Sequence, residues 1–229
     1  GGAERGVGHS NDTWIYDPGA NTWTEVEPQG NSPSPRAAAV MVYDPTRDLF
    51  ILFGGASTEG DSDETWAYNP KENTWTMLDT KGSPRGRGSH AMVFDSSNGR
   101  IVLFGGLRGH TDDEGPEASF LGDTWMYDVE DGSWMQMNVS DPVPEGRYSP
   151  GLAYDARRGS VIMFAGCPYS GDQSLPTAGS LDDTWEYRPP DGTISAAQTT
   201  STTLPTPTTV RPLSTVLTPK VQGYLDALK

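Results

Sequence analysis

The sequence predicts an all-β chain made of repeated four-stranded units, and three observations predict it. A phrase built on Trp-x-Tyr recurs four times, and short apolar runs rich in β-branched and aromatic residues recur in step with it. The third is composition: of 229 residues only 34% are hydrophobic, yet seven are Trp, with 27 Gly and 19 Pro. Burial in such a chain rests on few, large side chains separated by turns, which disfavours a helical bundle.

The phrase first appears as Asp12-Thr13-Trp14-Ile15-Tyr16-Asp17 and returns as Glu64-Thr65-Trp66-Ala67-Tyr68-Asn69, Asp123-Thr124-Trp125-Met126-Tyr127-Asp128 and Asp183-Thr184-Trp185-Glu186-Tyr187-Arg188. In the first three copies a second Trp follows nine residues on (Trp23, Trp75, Trp134), and beyond it comes Pro-x-x-Arg: Pro33 with Arg36, Pro84 with Arg87, Pro144 with Arg147. Nineteen residues after each Arg stands a glycine, Gly55, Gly106 or Gly166, closing an apolar run such as Ile51-Leu52-Phe53 or Val102-Leu103-Phe104. Those runs read as buried strands. Each pairs with the apolar segment before it across a turn-forming stretch at 44–48, 95–99 or 155–159, which makes a hairpin. With the Trp-x-Tyr strand and the second-Trp strand, each unit of roughly 50 to 60 residues holds four strands, the content of one propeller blade.

Taken together, the double glycine after an apolar strand, the Asp-Thr-Trp-x-Tyr-Asp phrase, the spaced Trp and Pro-x-x-Arg resemble kelch repeats of the galactose-oxidase type over about residues 1–188. The resemblance implies blades with strands a to d from the centre outward: a begins near the Arg, b ends at the double glycine, c carries Trp-x-Tyr and d the second Trp. This chain departs from the pattern in places: only His90 fills the Arg-x-x-His position, where Ala39 and Pro150 stand in the other units, and Ala165 replaces a glycine. Counting gives c and d, then two full blades, then a, b and c, thirteen strands in all. Ile194 stands where the last second Trp is due, so the final d strand is expected to be degenerate or absent. The expectation is therefore an arc of about three to four four-stranded blades, part of a larger propeller, because so few blades do not close a ring on their own. An open arc exposes strand edges, so self-association through them, up to assembly of a closed ring from copies, is a further expectation.

Repeats are expected over 1–190, followed by a Thr/Pro-rich linker at 191–218 and a short helix at 219–229, where Val221, Tyr224, Leu225 and Leu228 share one helical face. The Ser/Thr/Pro tract and the sequons at Asn11 and Asn138 tilt the expected location towards secreted or extracellular. The chain opens at Gly1, mid-repeat, without a basic-then-apolar leader, so any targeting signal is expected to have been removed or never to have been part of it.

Charge and chemistry narrow the function. Thirty-one acidic residues against 16 basic give a net charge of −15, which repels nucleic acid and anionic membrane surfaces. No apolar stretch reaches the length of a membrane span. A single cysteine, Cys167, excludes an internal disulfide or a multi-Cys zinc site. No nucleophile-base arrangement or metal-ligand register is visible, so neither catalysis nor a cofactor is expected. The resemblance to galactose oxidase calls for copper, two His and a Tyr joined to Cys, and no matching Tyr-His pair accompanies Cys167.

The variable part of the repeat is the b-to-c loop, eleven residues from Gly55 to Trp66 but nineteen from Gly106 to Trp125 and from Gly166 to Trp185. In an antiparallel blade these loops share a face with the d-to-a linkers that lead to the three Arg residues, and that face is the expected contact surface for a protein partner. Its candidate binding residues are Arg36, Arg87, Arg147, His110, Asp112 and Tyr169. The arginines have two readings: a cluster that grips a ligand carboxylate, or partners that neutralise acids of the Asp-Thr-Trp strands. The cluster His110, Asp112, Asp113, Glu114 and Glu117 reads as a solvated acidic loop in preference to a metal site. The repeated Trp and Tyr read as core in preference to stacking platforms, although a carbohydrate-binding or carbohydrate-processing module, with aromatic and acidic loop residues facing glycan, is the alternative function.

Overall fold

A computed structural model of the chain describes residues 1–4, 8–109, 119–168, 180–190 and 208–212, and every described element is β. The strands form successive antiparallel sheets. The first unit holds the hairpin Thr13–Asp17 with Thr22–Val26, preceded by the short antiparallel pair Gly2–Glu4 with Gly8–Ser10. The second is the four-stranded sheet Val40–Asp44, Leu49–Phe53, Thr65–Asn69, Thr74–Leu78, paired in sequence order, and the third repeats it with Ala91–Asp95, Arg100–Arg108, Ser119–Asp128 and Ser133–Met137. The expected hairpins are present, with Asp44 opposite Leu49, Asp95 opposite Arg100 and Asp155 opposite Ser160. In each turn the aspartate that ends strand a accepts backbone N–H bonds two or three residues on, from Thr46, Ser97 and Arg157, which fixes the reversal.

The fourth blade draws its outer strand from far along the chain. Gly151–Asp155, Ser160–Phe164 and Thr184–Tyr187 form its strands a to c, and its outer strand is Thr208–Pro212, taken from within the stretch read as linker. Its register places Val210 opposite Tyr187, as Trp75 stands opposite Tyr68 and Trp134 opposite Tyr127. The strand escapes a sequence reading because its Trp is gone and its connection to strand c is far longer than in the other blades. The short helix expected at 219–229 lies outside the described residues.

Apolar residues from adjacent blades meet between the sheets. Ile51, Phe53 and Ala67 of the second blade pack with Met92, Phe94, Ile101, Leu103, Tyr127 and Trp134 of the third; Val102 and Met126 of the third pack with Val161 and Tyr187 of the fourth. Polar links tie the same interfaces. Trp75 donates its indole N–H to Thr13 Oγ1 at 3.3 Å, and Trp134 donates to Thr65 Oγ1 at 3.0 Å, so the Thr of one unit receives the second Trp of the next. At the inner end, Ala38, Ser89 and Ser149 all adopt left-handed φ (57°, 53° and 51°); Ser89 N–H donates to the Ala38 carbonyl at 2.8 Å and Ser149 N–H to the Ser89 carbonyl at 2.6 Å.

The double glycines have a steric cause. At Gly54 (φ 71°) a Cβ would stand 2.5 Å from the carbonyl oxygen of Arg87 in the next blade, and at Gly105 (φ 69°) it would stand 2.6 Å from that of Arg147. At the corresponding position of the fourth blade, Ala165 is also left-handed (φ 60°) and carries a methyl group. Gly105→Ala is therefore expected to destabilise by roughly 1–3 kcal/mol, the ordinary cost of overpacking, whereas Ala165→Gly stays within about 1 kcal/mol of the parent. Urea unfolding midpoints measure both, and equal effects at the two sites would refute the steric account.

Candidate functional site

Pro-x-x-Arg delivers each arginine to the same place in its blade. Arg87 is the fullest case: Nε donates to the Arg85 carbonyl at 3.2 Å, Nη1 to the Gly105 carbonyl at 3.0 Å and to Asp123 Oδ1 at 2.6 Å, and Nη2 to Asp123 Oδ2 at 2.9 Å. Arg147 repeats the pattern with Glu145, Ala165 and Asp183, and Arg36 with Ser34, Gly54 and Glu64. One guanidinium thus joins the start of strand a, the end of b and the start of c. The acid is the residue before Thr-Trp, and its carboxylate also accepts the indole N–H of the Trp two residues on, at 3.0 Å for Trp66 and 2.6 Å for both Trp125 and Trp185.

Burial raises the Asp123 carboxyl, but the hydrogen bonds and charge of Arg87, with the Trp125 indole, outweigh it and hold the group below its usual value; Asp183 and Glu64 are lowered in the same way. All three arginines are buried, at 5%, 1% and 1% exposure. A ligand carboxylate reaching them would have to displace Asp123, Asp183 or Glu64. Of the two readings of these arginines, the geometry follows the structural one, with each acid supplied by the arginine's own blade.

His90, three residues beyond Arg87, is buried with no hydrogen-bond partner on either ring nitrogen among the described residues, and lies edge-on to Phe53 with ring centroids 5.6 Å apart. Burial, aided by the Arg87 charge, pushes its pKa down to about 3.

The loop face is built on these clamps. Ala37 pairs with Ala56 and Gly88 with Leu107, and Arg147–Tyr148 pairs with Cys167–Pro168, so the base of every b-to-c loop is fastened beside the start of a strand a. Described residues on this face include the hairpin Ala56–Ser57 with Gly60–Asp61, the exposed Thr58 and Glu59, and Phe120 packed at a tilt against Tyr148, ring centroids 5.6 Å apart. Tyr148 stands opposite the free Cys167, and the hydrogen bond between their side chains, together with burial, raises the phenol. His110, Asp112 and Tyr169 lie outside the described residues. Sequence reasoning passed over Glu64, Asp123 and Asp183 as individual sites, although their position before Thr-Trp in every unit was the available signal. Among the described residues no group of three or more His, Cys, Asp or Glu is placed to hold a metal ion, and no helix is long and apolar enough to cross a membrane.

A model of the KLHDC2/KLHL20/DRC7 kelch-repeats domain matches residues 1–220. Mei4-dependent protein 6 of Schizosaccharomyces pombe is 27% identical over 143 residues, 61% of this chain; the match covers 20% of that protein's length.

Two outcomes follow from the clamp and its histidine. Arg87→Ala is expected to cost about 3–5 kcal/mol, because it leaves Asp123 without its counter-charge, and Arg87→Lys recovers only part of it, since one ammonium cannot reproduce the forked contacts; chemical denaturation decides. His90 stays neutral in the folded chain well below the pH at which the unfolded chain protonates its histidine, near 6.5. Its contribution to stability is complete above that value and is lost as pH falls from there towards about 3. His90→Leu should flatten stability against pH in that window, and an unchanged slope would contradict the assignment.

Proposed function

The chain belongs to the kelch-repeat family, and on that premise we propose that it is a non-catalytic scaffold whose b-to-c loops and d-to-a linkers form the contact face for a protein partner. One observation carries this reading. The arginine donors are taken up by acids of their own blades and the repeated aromatics of the second and third blades are largely in the core, so the variable chemistry is left to the loops, all fastened at one end of the sheets. A rigid frame with loops of differing length at one end is how binding surfaces are commonly built. Charge adds selectivity: at −15, the chain favours partners with a basic contact patch.

The test is affinity capture with the intact chain, followed by two charge reversals. Glu59→Lys alters the loop face, and Glu72→Lys alters the turn after strand c at the opposite end of the same blade. The captured partner is expected to weaken at least tenfold against the first and to be unaffected by the second. Equal loss from both would move the contact away from the loop face, and selective retention on a glycan array with no protein captured would favour carbohydrate recognition.

A further inference from the structure

The seam between the second and third blades lacks an amide side chain that the seam before it has. At the earlier seam, Asn73 stands in the c-to-d turn of the second blade and ties two segments together. The Tyr68 phenol donates to Asn73 Oδ1 at 2.9 Å, and Asn73 Nδ2 donates to the Glu27 carbonyl at 2.9 Å. The first unit has the same phenol-to-amide bond, Tyr16 to Asn21. One blade on, the parallel bridges Gln29 with Thr74 and Lys81 with Ser133 set the correspondence: Gly132 takes the place of Asn73, Tyr127 that of Tyr68 and Asp79 that of Glu27. Gly132 keeps the left-handed backbone, φ 63° against 51° at Asn73, and a Cβ added there would meet nothing within 4 Å.

A groove of about 300 Å³ lies at that place, with Tyr127, Gly132 and Asp79 among its lining residues. Leu49, Ile51, Ala67 and Leu78 give it apolar walls. Tyr127 is 1% exposed, and among the described residues no acceptor is bonded to its phenol, whereas Tyr16 and Tyr68 have theirs. Buried polar groups are ordinarily hydrogen-bonded, so such an exception calls for an account. Burial pushes the phenol up to about 12, which keeps it a donor at neutral pH; the charge that opposes the shift is that of Arg47, another lining residue of the groove. We infer that this groove is a binding site for a primary carboxamide carried on an apolar body. The amide oxygen accepts from Tyr127 Oη and the amide NH2 donates to the Asp79 carbonyl, the two bonds that Asn73 makes one blade earlier. The volume is that of a small-molecule site, in which a few polar groups orient a ligand held by apolar walls. Charge selects the neutral amide over a carboxylate: Asp79, Glu130 and Asp131 line the groove, and Arg47 is paired with Asp44 at 3.2 Å.

The experiment titrates the full chain with benzamide, acetophenone, benzoate and N-acetylglutamine methylamide, followed by backbone amide NMR. Benzamide and the glutamine derivative separate a small-molecule site from one that takes an amide side chain, and saturable shifts at Gly132 and Asp79 with either support the proposal. Benzamide is expected to bind roughly three- to tenfold tighter than acetophenone, which keeps the acceptor and lacks the donor, the worth of one hydrogen bond. Benzoate should bind more weakly than benzamide. Tyr127→Phe should weaken benzamide by a similar factor and leave the melting temperature within about 2 °C of the parent, since its phenol has no bond to lose. Gly132→Asn, which rebuilds the earlier bridge on a compatible backbone, should abolish binding and raise the melting temperature by roughly 2–4 °C. Absence of saturable shifts with both carboxamides, acetophenone or benzoate binding as tightly as benzamide, or undiminished binding to either variant overturns the proposal.

Discussion

Everything in the blade depends on one ion pair, the guanidinium that each Pro-x-x-Arg sends to the acid before Thr-Trp. Four-stranded sheets hold themselves together along their ladders, but nothing in a ladder fixes where strand a begins relative to the start of c. The arginine does so, because its planar fork satisfies a carboxylate and backbone carbonyls from three segments at once. The carboxylate in turn orients the first Trp through its indole N–H. A buried ion pair adds little net stability over a well-packed apolar substitute; what it supplies here is register, through forked contacts at Arg87 and Arg147 and a single contact to Glu64 at Arg36.

Between blades the work passes to large rings and to single hydrogen bonds. The second Trp of one unit fills the seam with its predecessor and donates to that unit's Thr, so the same six-residue phrase serves both within a blade, through its acid, and across blades, through its Thr. Trp66 and Tyr68, packed among the second and third blades, are 6% and 4% exposed. Burial of the repeated word is decided by neighbours that the word does not contain.

That distinction marks how far the sequence could be read. Strand positions, hairpin turns and the burial of the repeated aromatics in the middle units followed from periodic residues whose partners lie in the same unit, such as Asp95 with its turn or Tyr127 with Trp134. The anchoring acids were foreseen as partners of the arginines, but whether Arg87 met its own blade's acid or a neighbour's required coordinates. The outer strand of the fourth blade was not legible, since Val210 carries no aromatic signal and its pairing is set by Ser140 and Tyr187, far away along the chain. The preference for glycine at 54 and 105 over alanine likewise depends on a carbonyl one blade further on.

The chain of N–H to carbonyl contacts through Ala38, Ser89 and Ser149 runs one way only, each member giving to the member before it. The arc consequently has a sense of rotation, like a line of people each with a hand on the shoulder ahead. A further blade of the same design can join only in that order, presenting its donor to Ser149 or its acceptor to Ala38, and a unit inserted back to front would set acceptor against acceptor at the first and donor against donor at the second.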